Sequence, residues 1–439
     1  MDYKTSEVLE FIEENDVKFI KLAFCDIFGN QKNITIMPTE LKRAFYEGVS
    51  FDASAVTGFM KVEESDLLLF PEANTMYLLP WRPQHGRVVR FFCNIKHPDG
   101  RDFEGDCRNI LKEVIKDSKQ KGFTCKIGCE SEFYLFEQDE FGNPTMIPYD
   151  KGTYCDIYPN DRCENIRRDI CLSLEEMGIK PTSSHHEQGP GQNEIDYEYS
   201  NALSAADNLI SFKSLVKTKA SENGLFASFM PRPLETECGS GLHINISLYK
   251  DNKNIFEDKN DKQYKYAESF ISGILNRIEE ITLFLNSSTN SYKRLGKDKA
   301  PKYITWSKEN RSQLIRIPAS KGDRCRMELR SPDSSCNPYI AFALLIKAGI
   351  EGIEKNLQLC NPHNINLFNA NDNKVKNLKT LPNNLNEAIN NALNSEFIKT
   401  VLPQKTINNY IDDKKQEWDI YNSITDKFKA EKELYFEKF

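Results

Sequence analysis

The sequence has no apolar run long enough to cross a membrane. The best apolar stretch, around Ile340 to Ile346, is interrupted by Lys347, whereas a membrane-spanning helix needs about 20 predominantly apolar residues. The first residues, MDYKTSEVLE, show no basic segment followed by an apolar one, which is the pattern of a secretory signal peptide. We therefore expect a cytoplasmic protein with no membrane partner.

The chain also lacks an excess of basic residues. It has 58 lysines and arginines against 65 aspartates and glutamates, a net charge of −7, which disfavours non-specific binding to nucleic acid. Its 12 cysteines are scattered, and the nearest pair, Cys125 and Cys129, has no CxxC partner elsewhere. This pattern argues against a paired-cysteine zinc site and a disulfide scaffold. We expect no nucleic-acid partner and reduced cysteines.

Two glycine-rich nucleotide motifs are missing as well. There is no GxxxxGK[ST] P-loop, and GPG and GSG each lack the third glycine of a dinucleotide fingerprint. Any nucleotide must therefore be held by other residues.

A chain of 439 residues is long for one hydrophobic core, so we expect two or more domains. The first hundred residues alternate short strands with turns, including a hairpin around Gly29-Asn30, a short helix in LKRAFYEG and two strand pieces in RVVRFFCNIKHPDGR. An amphipathic helix then runs from Cys107 to Gly122. These changes predict an α+β protein with domains 1–103 and 104–439.

Further helices are predicted in three segments with helical periodicity: ENIRRDICLSLEEMG, SAADNLISFKSLVKTKASENG and YAESFISGILNRIEEITLFL. Residues 251–263 and 361–386 are polar without periodicity, so they are expected to be irregular. The chain from Ser395 onward is expected to be a largely helical arm.

Four predicted strands carry polar side chains on one face. Alternation along a strand groups Glu130, Glu132 and Tyr134; Glu194, Asp196 and Glu198; His243, Asn245 and Ser247; and Arg324, Arg326, Glu328 and Arg330. For any single strand, a half-exposed antiparallel sheet with a solvated polar face remains an alternative. Four such strands in one domain indicate a shared functional surface.

The combination of acids and arginines indicates the ligands of this surface. Clustered carboxylates repel one another unless a cation neutralises them, and neighbouring arginines are favoured where they face anions. Divalent metal, phosphate and a carboxylate substrate are therefore predicted on one cavity wall. Carboxylate ligands suit Mg²⁺ or Mn²⁺, and one imidazole among them is compatible with Mn²⁺. The run His185-His186-Glu187 adds further potential ligands.

Nine segments resemble class I glutamine synthetase of the bacterial type that is not adenylylated. They are FDASAVTGF, EESDLLLFPE, GCESEFYLF, DKGTYCDIYPND, SHHEQGPGQNEID, GSGLHINISL, NSYKRL, ENRSQLIRIP and RMELRSPDSSCNPY, and with the C-terminal arm they cover nearly the whole chain. The resemblance implies an N-terminal β-grasp domain and a catalytic domain built on an antiparallel half-barrel sheet with flanking helices. It also implies a dodecamer of two hexameric rings, with active sites shared between neighbouring subunits.

The resemblance implies a role for each matching residue. Two metal ions per site, Mg²⁺ or Mn²⁺, would be held by Glu132, Glu187 and Glu194 and by Glu130, His243 and Glu328. Glutamate and the transferring phosphoryl group would contact Gly239, Arg294, Arg311 and Arg330, with Glu132 and His243 nearby. ATP would contact Tyr199, Asn245, Ser247, Arg316 and Arg326. Asp52, supplied by the adjacent subunit, would take a proton from ammonium beside Tyr154.

Other interpretations stay open for single residues. Arg294 or Arg311 could form an ordinary surface ion pair, and Tyr199 could be a plain core residue. His185 and His186 are expected to orient Glu187 or to bond to backbone rather than to bind metal.

The implied reaction joins ammonia to the γ-carboxylate of glutamate, giving glutamine, ADP and phosphate, in nitrogen assimilation. The γ-carboxylate is a poor electrophile, so ATP first converts it to γ-glutamyl phosphate, with Arg311 and Glu187 in catalytic roles. Two metals and several arginines neutralise the transferring phosphoryl group. Nearby carboxylates then attract ammonium and accept its proton.

Three positions depart from the family pattern. The loop after NSYKRL is one residue shorter and has Lys299 where a glutamate is expected, Ala55 replaces a serine near the ammonium site, and Cys238 replaces an asparagine that contacts glutamate. Lys299 should weaken ammonium binding if it points inward and have little effect if it points outward.

These departures leave two alternatives. The chain could be a γ-glutamyl-amine ligase that uses a polyamine or another amine, or a non-catalytic oligomer that acts through a regulatory partner. NINLFNAND stands where related enzymes carry the tyrosine that is adenylylated, so control by feedback inhibition or by a partner protein is expected instead.

Overall fold

The computed structural model describes residues 4–82, 85–257, 262–370 and 372–439. The N-terminal region contains α1 (Thr5–Glu14), β1 (Val17–Cys25), β2 (Gln31–Ile36), α2 (Pro38–Glu47), β3 (Val49–Asp52), β4 (Asp66–Pro71), β5 (Tyr77–Leu78) and β6 (Arg87–Lys96). The strands that follow are β7 (Phe123–Gln138), β8 (Pro144–Pro148), β9 (Pro181–His186), β10 (Gln192–Tyr197), β11 (Ser200–Asn201), β12 (Leu225–Ser228), β13 (Leu242–Lys250), β14 (Lys253–Asn254), β15 (Trp306–Lys308), β16 (Ile315–Ile317) and β17 (Met327–Leu329). The later helices are α3 (Cys107–Gln120), α4 (Glu164–Glu176), α5 (Ala202–Glu222), α6 (Tyr264–Leu285), α7 (Ser291–Arg294), α8 (Pro338–Glu354), α9 (Asp372–Val375), α10 (Leu385–Leu393), α11 (Glu396–Lys399), α12 (Gln404–Ser423) and α13 (Lys427–Tyr435).

The N-terminal sheet has the strand order β2-β1-β6-β4-β3, with β5 beside β6. β1 and β6 run parallel, and the other neighbours are antiparallel. The predicted hairpin is confirmed: the Asp26 carboxylate accepts bonds from the amides of Phe28 (3.0 Å) and Asn30 (2.9 Å), and Gly29 adopts a φ of +83°, which glycine tolerates without steric cost. The short helix predicted in LKRAFYEG is α2.

The second sheet has 11 strands, with the main order β15-β16-β17-β13-β7-β10-β9. β7 is 16 residues long and pairs antiparallel with β8, β10, β11, β12 and β13. Alternate residues of β7, such as Cys129, Phe133 and Leu135, are buried, while the opposite face carries the acids. This half-barrel is antiparallel except for the parallel pair β15 and β16. With helices packed behind it, it confirms the predicted α+β fold.

Two helices, α6 and α8, pack closely against each other, and α8 also packs against α3 and α5. A side chain at Gly273 would place its Cβ 2.8 Å from the Cα of Gly352, so only glycines allow this approach. α8 contains the best apolar run of the sequence and is buried along nearly its whole length. Across the described ranges, no helix has the length and apolarity needed to span a bilayer.

Buried polar contacts join the two regions. The Asp106 carboxylate caps α3 and accepts a bond from the Ile95 amide of β6 (3.0 Å). The Arg108 guanidinium donates to Asp207 at 2.9 and 3.0 Å and to Glu72. The boundary proposed between residues 103 and 104 lies beside this junction and stays a prediction.

Most sequence-predicted elements are present. Helices α3, α4, α5 and α6 and the helical C-terminal arm are confirmed. Three predictions were wrong in part. The second strand piece after β6 is only a bridge between Lys96 and Asp102, and the two stretches expected to be irregular contain β14, α9 and the start of α10. Residues 258–261 and 371 of those stretches lie outside the described residues.

Candidate active site

The polar faces of the central strands meet in one cavity of about 580 Å³, a volume typical of small-molecule sites. The strand register explains this. Glu194 of β10 lies opposite Glu132 of β7, and His243 of β13 lies opposite Glu130. The side-chain alternation read from the sequence therefore brings three strands' polar residues together. Tyr154 and the loop 294–300 complete the wall.

One carboxylate cluster lies at the end of β9 and the beginning of β10. Ligand atoms of His185, Glu187 and Glu194 lie within 4.8 Å of one another, and Glu132 faces Glu194 across the strand pair. The predicted contact of His185 with Glu187 is present, with Nε2 3.1 Å from Oε1. The three residues of this compact group are His185, Glu187 and Glu194. Glu132 lies at its border, where its carboxylate accepts a bond from the Gly241 amide (2.8 Å).

This first cluster carries uncompensated negative charge. Burial raises the pKa of Glu194 well above its ordinary value, and the charges of Glu132 and Asp196 raise it further. Burial and the charge of Glu130 likewise raise the pKa of Asp196. Within the part of the chain that the structure describes, neither Glu132 nor Glu194 forms an ion pair with a basic residue. Like charges opposite one another in a sheet are destabilising, and a bound cation would remove that repulsion.

The second cluster consists of Glu130, His243 and Glu328, again within 4.8 Å. His243 Nδ1 is 3.1 Å from Glu130 Oε2 and 3.7 Å from Glu328 Oε1. Burial opposes ionisation of Glu130, but contacts with His243, Asn245 and Arg326 together outweigh it, and the pKa of Glu130 falls to about 2. Arg316 Nη1 donates to Glu328 Oε2 (2.5 Å), and Arg330 donates to the other oxygen. Arginines thus partly neutralise this cluster.

The donor atoms of both clusters fit divalent cations. Carboxylate oxygens dominate, and the imidazoles of His185 and His243 supply nitrogen. This hard donor set suits Mg²⁺ or Mn²⁺. Glu132 and Glu194 have no basic partner among the described residues, and this structural observation favours a bound ion beside them.

The predicted substrate arginines occupy three different environments. Arg311 is exposed and lines the cavity, whereas Arg330 is buried against Glu328. Arg294 is also buried and donates to the carbonyls of Ser331 (2.8 Å) and Pro332 (3.2 Å), so the interpretation of Arg294 as a surface ion-pair residue is wrong. A Cβ at Gly239 would come within 2.9 Å of the Arg294 side chain, which explains the glycine.

A second cavity of about 850 Å³ adjoins the first and shares Glu130, Asp196 and Arg326 with it. Four of the five predicted nucleotide residues line it, namely Tyr199, Asn245, Ser247 and Arg326. The fifth, Arg316, lines the first cavity. Tyr199 is half-buried at this wall, so its interpretation as a plain core residue is wrong. The Arg326 Nε donates to Asn245 Oδ1 (2.7 Å), which orients both side chains.

Asp52 lies outside the cavity of its own chain. It is exposed, and its carboxylate accepts bonds from the Ser54 amide (2.9 Å) and hydroxyl (2.6 Å), which lower its pKa. Ala55 is exposed beside it. Among the described residues, those that line the cavity include Tyr154 but not Asp52.

The loop 294–300 contributes four charged residues to the cavity wall, namely Arg294, Lys297, Asp298 and Lys299. Lys299 lines it, with Nζ 5.2 Å from the centroid of the Tyr154 ring, so the inward orientation considered from the sequence is the one observed. Asp298 pairs with the buried Arg232 at 2.7 Å.

Sequence reasoning missed two glutamines in the cavity. Gln192 donates to Glu132 Oε2 (3.2 Å) and to the Gly239 carbonyl (3.2 Å), and its position two residues before Glu194 on one strand face could have revealed it. The Cys238 thiol donates to the side-chain oxygen of Gln188 (3.4 Å), and burial raises the pKa of Cys238 to about 11. Cys238 is therefore a neutral thiol that lines the cavity.

Sequence comparisons identify relatives over the whole chain. Residues 16–98 match the family model described as glutamine synthetase, beta-Grasp domain, and residues 104–433 match glutamine synthetase, catalytic domain. The chain is 45% identical to a glutamine synthetase of Clostridium saccharobutylicum, with 96% of each chain covered. It is 44% identical to one of Methanosarcina mazei, with 95% of each covered, and 40% identical to one of Staphylococcus aureus, with 100% of this chain and 99% of the relative covered.

Solved structures agree with this assignment. A GmaS/ADP complex superposes with a TM-score of 0.87 at 27% identity, covering 99% of this chain and all of that one. The glutamine synthetase of Plasmodium falciparum gives a TM-score of 0.85 at 26% identity, covering 96% and 97%. The chain therefore belongs to the glutamine synthetase family and is a glutamate–ammonia ligase.

Proposed function

We propose that this chain makes glutamine in two chemical steps, through γ-glutamyl phosphate, and serves nitrogen assimilation in the cytoplasm. The observation that carries the proposal is the facing pair Glu132 and Glu194, which has no basic partner among the described residues and lies beside cavity-lining arginines. Such a surface suits a metal-bound phosphate and a carboxylate substrate together. The second cavity, next to Glu130, has room for a nucleotide.

In the first step, a γ-carboxylate oxygen of glutamate attacks the terminal phosphorus of ATP, and the bond to the bridging oxygen breaks as ADP leaves. Two divalent ions held by the six predicted ligands would supply the neutralising charge for this transfer. Arg311 and Arg330 would contact the transferring phosphoryl group, while Arg294 would shape the glutamate pocket through its backbone contacts. Tyr199 and Ser247 would contact the nucleotide.

In the second step, ammonia attacks the acyl carbon, the carbon–nitrogen bond forms and phosphate leaves. Ammonium must first lose a proton, and a carboxylate is the suitable acceptor. Asp52 of the partner subunit would fill this role, because Asp52 is exposed and lies outside the cavity of its own chain. Its low pKa keeps it ionised, so it can attract the cation.

We propose that the homo-oligomer is a dodecamer of two hexameric rings. Exposed apolar side chains support an extensive subunit interface: Tyr46, Val62, Ile157 and Tyr158 are 71, 79, 77 and 72% exposed, and such side chains often mark protein contacts. Mass measurement in solution tests this. An active monomer would contradict the shared site, and a regulatory protein partner remains a further prediction.

The test is glutamate-dependent ADP formation from ATP with Mg²⁺ or Mn²⁺, comparing ammonium with a panel of primary amines. We expect the strongest stimulation by ammonium and none when glutamate or metal is omitted. Stimulation by another amine alone would instead indicate a γ-glutamyl-amine ligase. No turnover with any nucleophile would indicate the regulatory oligomer.

A further inference from the structure

The loop 294–300 holds one charged side chain fixed and leaves the next one free to face the cavity. Asp298 has a φ of +51°, a left-handed conformation that few non-glycine residues adopt. Its carboxylate is 2.7 Å from Arg232 Nη1. Arg232 is buried and is itself anchored, because its amide donates to Asn290 Oδ1 (2.6 Å) and its Nη2 to the Glu235 carbonyl (3.3 Å).

This anchoring directs Lys299 toward the cavity mouth. Lys299 Nζ lies 5.2 Å from the centre of the Tyr154 ring, within the range of a cation–π contact. Tyr154 in turn contacts the His185 ring edge-on, at 5.3 Å between centroids, and His185 contacts Glu187. Lys299 is exposed, and in the described ranges it has no ion pair with a carboxylate. Its ammonium group therefore stands at the entrance to the acidic cluster.

A cationic substrate is drawn to the same place. The Tyr154 ring and the carboxylates of Glu187 and Glu194 line one side of the cavity, and both a ring face and a carboxylate attract an ammonium ion. Two like charges cannot share that position without mutual repulsion. The lysine side chain is tethered, so its effective concentration at the ring is high.

We propose that Lys299 is a specificity-determining residue that competes with ammonium at the mouth of the active site, an inference that rests on the proposed function. By occupying the face of Tyr154, its side chain weakens the binding of a cationic nitrogen substrate and leaves glutamate and ATP binding unaffected. The competition is electrostatic, so a positive charge at position 299 is the requirement.

The experiment compares Lys299→Met with Lys299→Arg and with Lys293→Met. Lys293 is the matched control, because it is an exposed lysine six positions earlier that lies over the Tyr421 ring and does not line the cavity. We expect the KM for ammonium to fall about three- to tenfold in Lys299→Met, which is the scale of one nearby like charge at a wet site. The KM for glutamate should stay constant, and Lys299→Arg and Lys293→Met should match the unaltered protein.

A double-variant cycle tests the contact with the ring. In a Tyr154→Leu background, Lys299→Met should change the KM for ammonium less than it does in the unaltered protein, because the ring no longer holds the lysine. Equal changes in the KM for ammonium in both backgrounds would show that Lys299 acts independently of the Tyr154 ring, and would contradict the proposed placement of Lys299 over that ring.

The two possible failures are distinguishable. Unaltered protein that makes no ammonium-dependent product refutes the proposed function, and the inference falls with it. An active protein whose KM for ammonium is unchanged or higher in Lys299→Met overturns the inference alone. Thermal unfolding of each variant confirms that the comparison is between folded proteins.

Discussion

Two groups of three acids and histidines lie on opposite faces of the sheet at the C-terminal end of β9 and differ in their partners. In each group, the ligand atoms come within 4.8 Å of one another: His185, Glu187 and Glu194 in the cavity, and Asp150, Asp161 and His186 in the interior. The interior group is neutralised within the protein. The His186 Nε2 is 2.9 Å from Asp150 Oδ1, and Arg167 donates to both oxygens of Asp161 at 3.2 and 2.5 Å.

The interior group also uses its remaining hydrogen-bonding capacity. Asp150 accepts bonds from the amides of Gly191 (2.7 Å) and Arg162 (3.0 Å) and from the Cys163 thiol (3.2 Å). Burial opposes ionisation of Asp150, but contacts with His186, Cys163 and the Arg162 amide together outweigh it, and the pKa of Asp150 falls well below its ordinary value. The pKa of Glu194 moves in the opposite direction.

The comparison shows that spacing alone does not identify a metal site. Both groups have metal-ligand spacing, but only the cavity group has a carboxylate, Glu194, without a basic partner among the described residues. We infer that Asp150 and His186 position the chain before Glu187, since His186 Nδ1 lies 2.6 Å from the Glu187 carbonyl. Of these two groups, the cavity group is the one that can accept an ion.

Glu194→Gln gives the largest expected effect. Losing a ligand of a catalytic metal should cost several kcal/mol of transition-state stabilisation, or about 10³-fold in rate. The same change should raise the melting temperature in EDTA, because it removes a buried carboxylate that repels its neighbours. Steady-state rates and thermal unfolding in EDTA measure both. If Glu194→Gln kept its activity and had a lower melting temperature, Glu194 would be a structural residue rather than a metal ligand, which would contradict the roles assigned to the two groups.

Asp150→Asn is the matched change in the interior group and should act through stability. The amide keeps the shape but breaks the buried pair with His186, which should cost about 3 kcal/mol in the free energy of unfolding. The increase in melting temperature on adding Mg²⁺ should persist. Urea and thermal unfolding with and without Mg²⁺ check this, and loss of the Mg²⁺ response at unchanged stability would contradict it.

The pH dependence of stability should have opposite signs for the two groups. The pKa of Glu194 is raised in the folded protein, so the unfolded chain releases its proton first, and metal-free stability should fall as pH rises above the ordinary value of 4.5. The pKa of Asp150 is lowered, so its contribution is present above the ordinary value of 3.8 and is lost as pH falls below it. Urea unfolding in EDTA at several pH values, with both variants, measures the two slopes. A Glu194→Gln profile parallel to that of the unaltered protein would rule out the first slope.

Glu113→Gln should have the smallest effect and serves as the control for removing a carboxylate. Glu113 pairs with Lys116 at 3.1 Å, and both side chains are about 60% exposed. Such surface pairs contribute roughly 0–1 kcal/mol, so stability and the Mg²⁺ response should stay close to those of the unaltered protein. A large change in either, measured by urea unfolding, would mean that carboxylate substitutions perturb this fold non-specifically.

Strand alternation predicted much of the site because it needs only local sequence. It placed Glu130 and Glu132 on one face of β7 and His243 on one face of β13, and the register then brought these faces together. The resemblance to known enzymes supplied the domain types and the fold. Both were available without coordinates.

The remaining features depend on contacts between distant residues. The orientation of Lys299 follows from the Arg232–Asp298 pair, whose partners are 66 residues apart, and no periodic pattern encodes such a pair. His185 and His186 are adjacent in sequence, yet one faces the cavity and the other the interior, because neighbours on a strand point to opposite faces. Only the structure shows that His186, and not His185, is paired with the buried Asp150.

The most direct test of the account is the stoichiometry of Mn²⁺ binding, measured by calorimetry on the unaltered protein, Glu194→Gln and Asp150→Asn. We expect two Mn²⁺ ions per chain for the unaltered protein and for Asp150→Asn, and one for Glu194→Gln. Two ions retained in Glu194→Gln, with one lost in Asp150→Asn, would place the metal in the interior group and contradict the account.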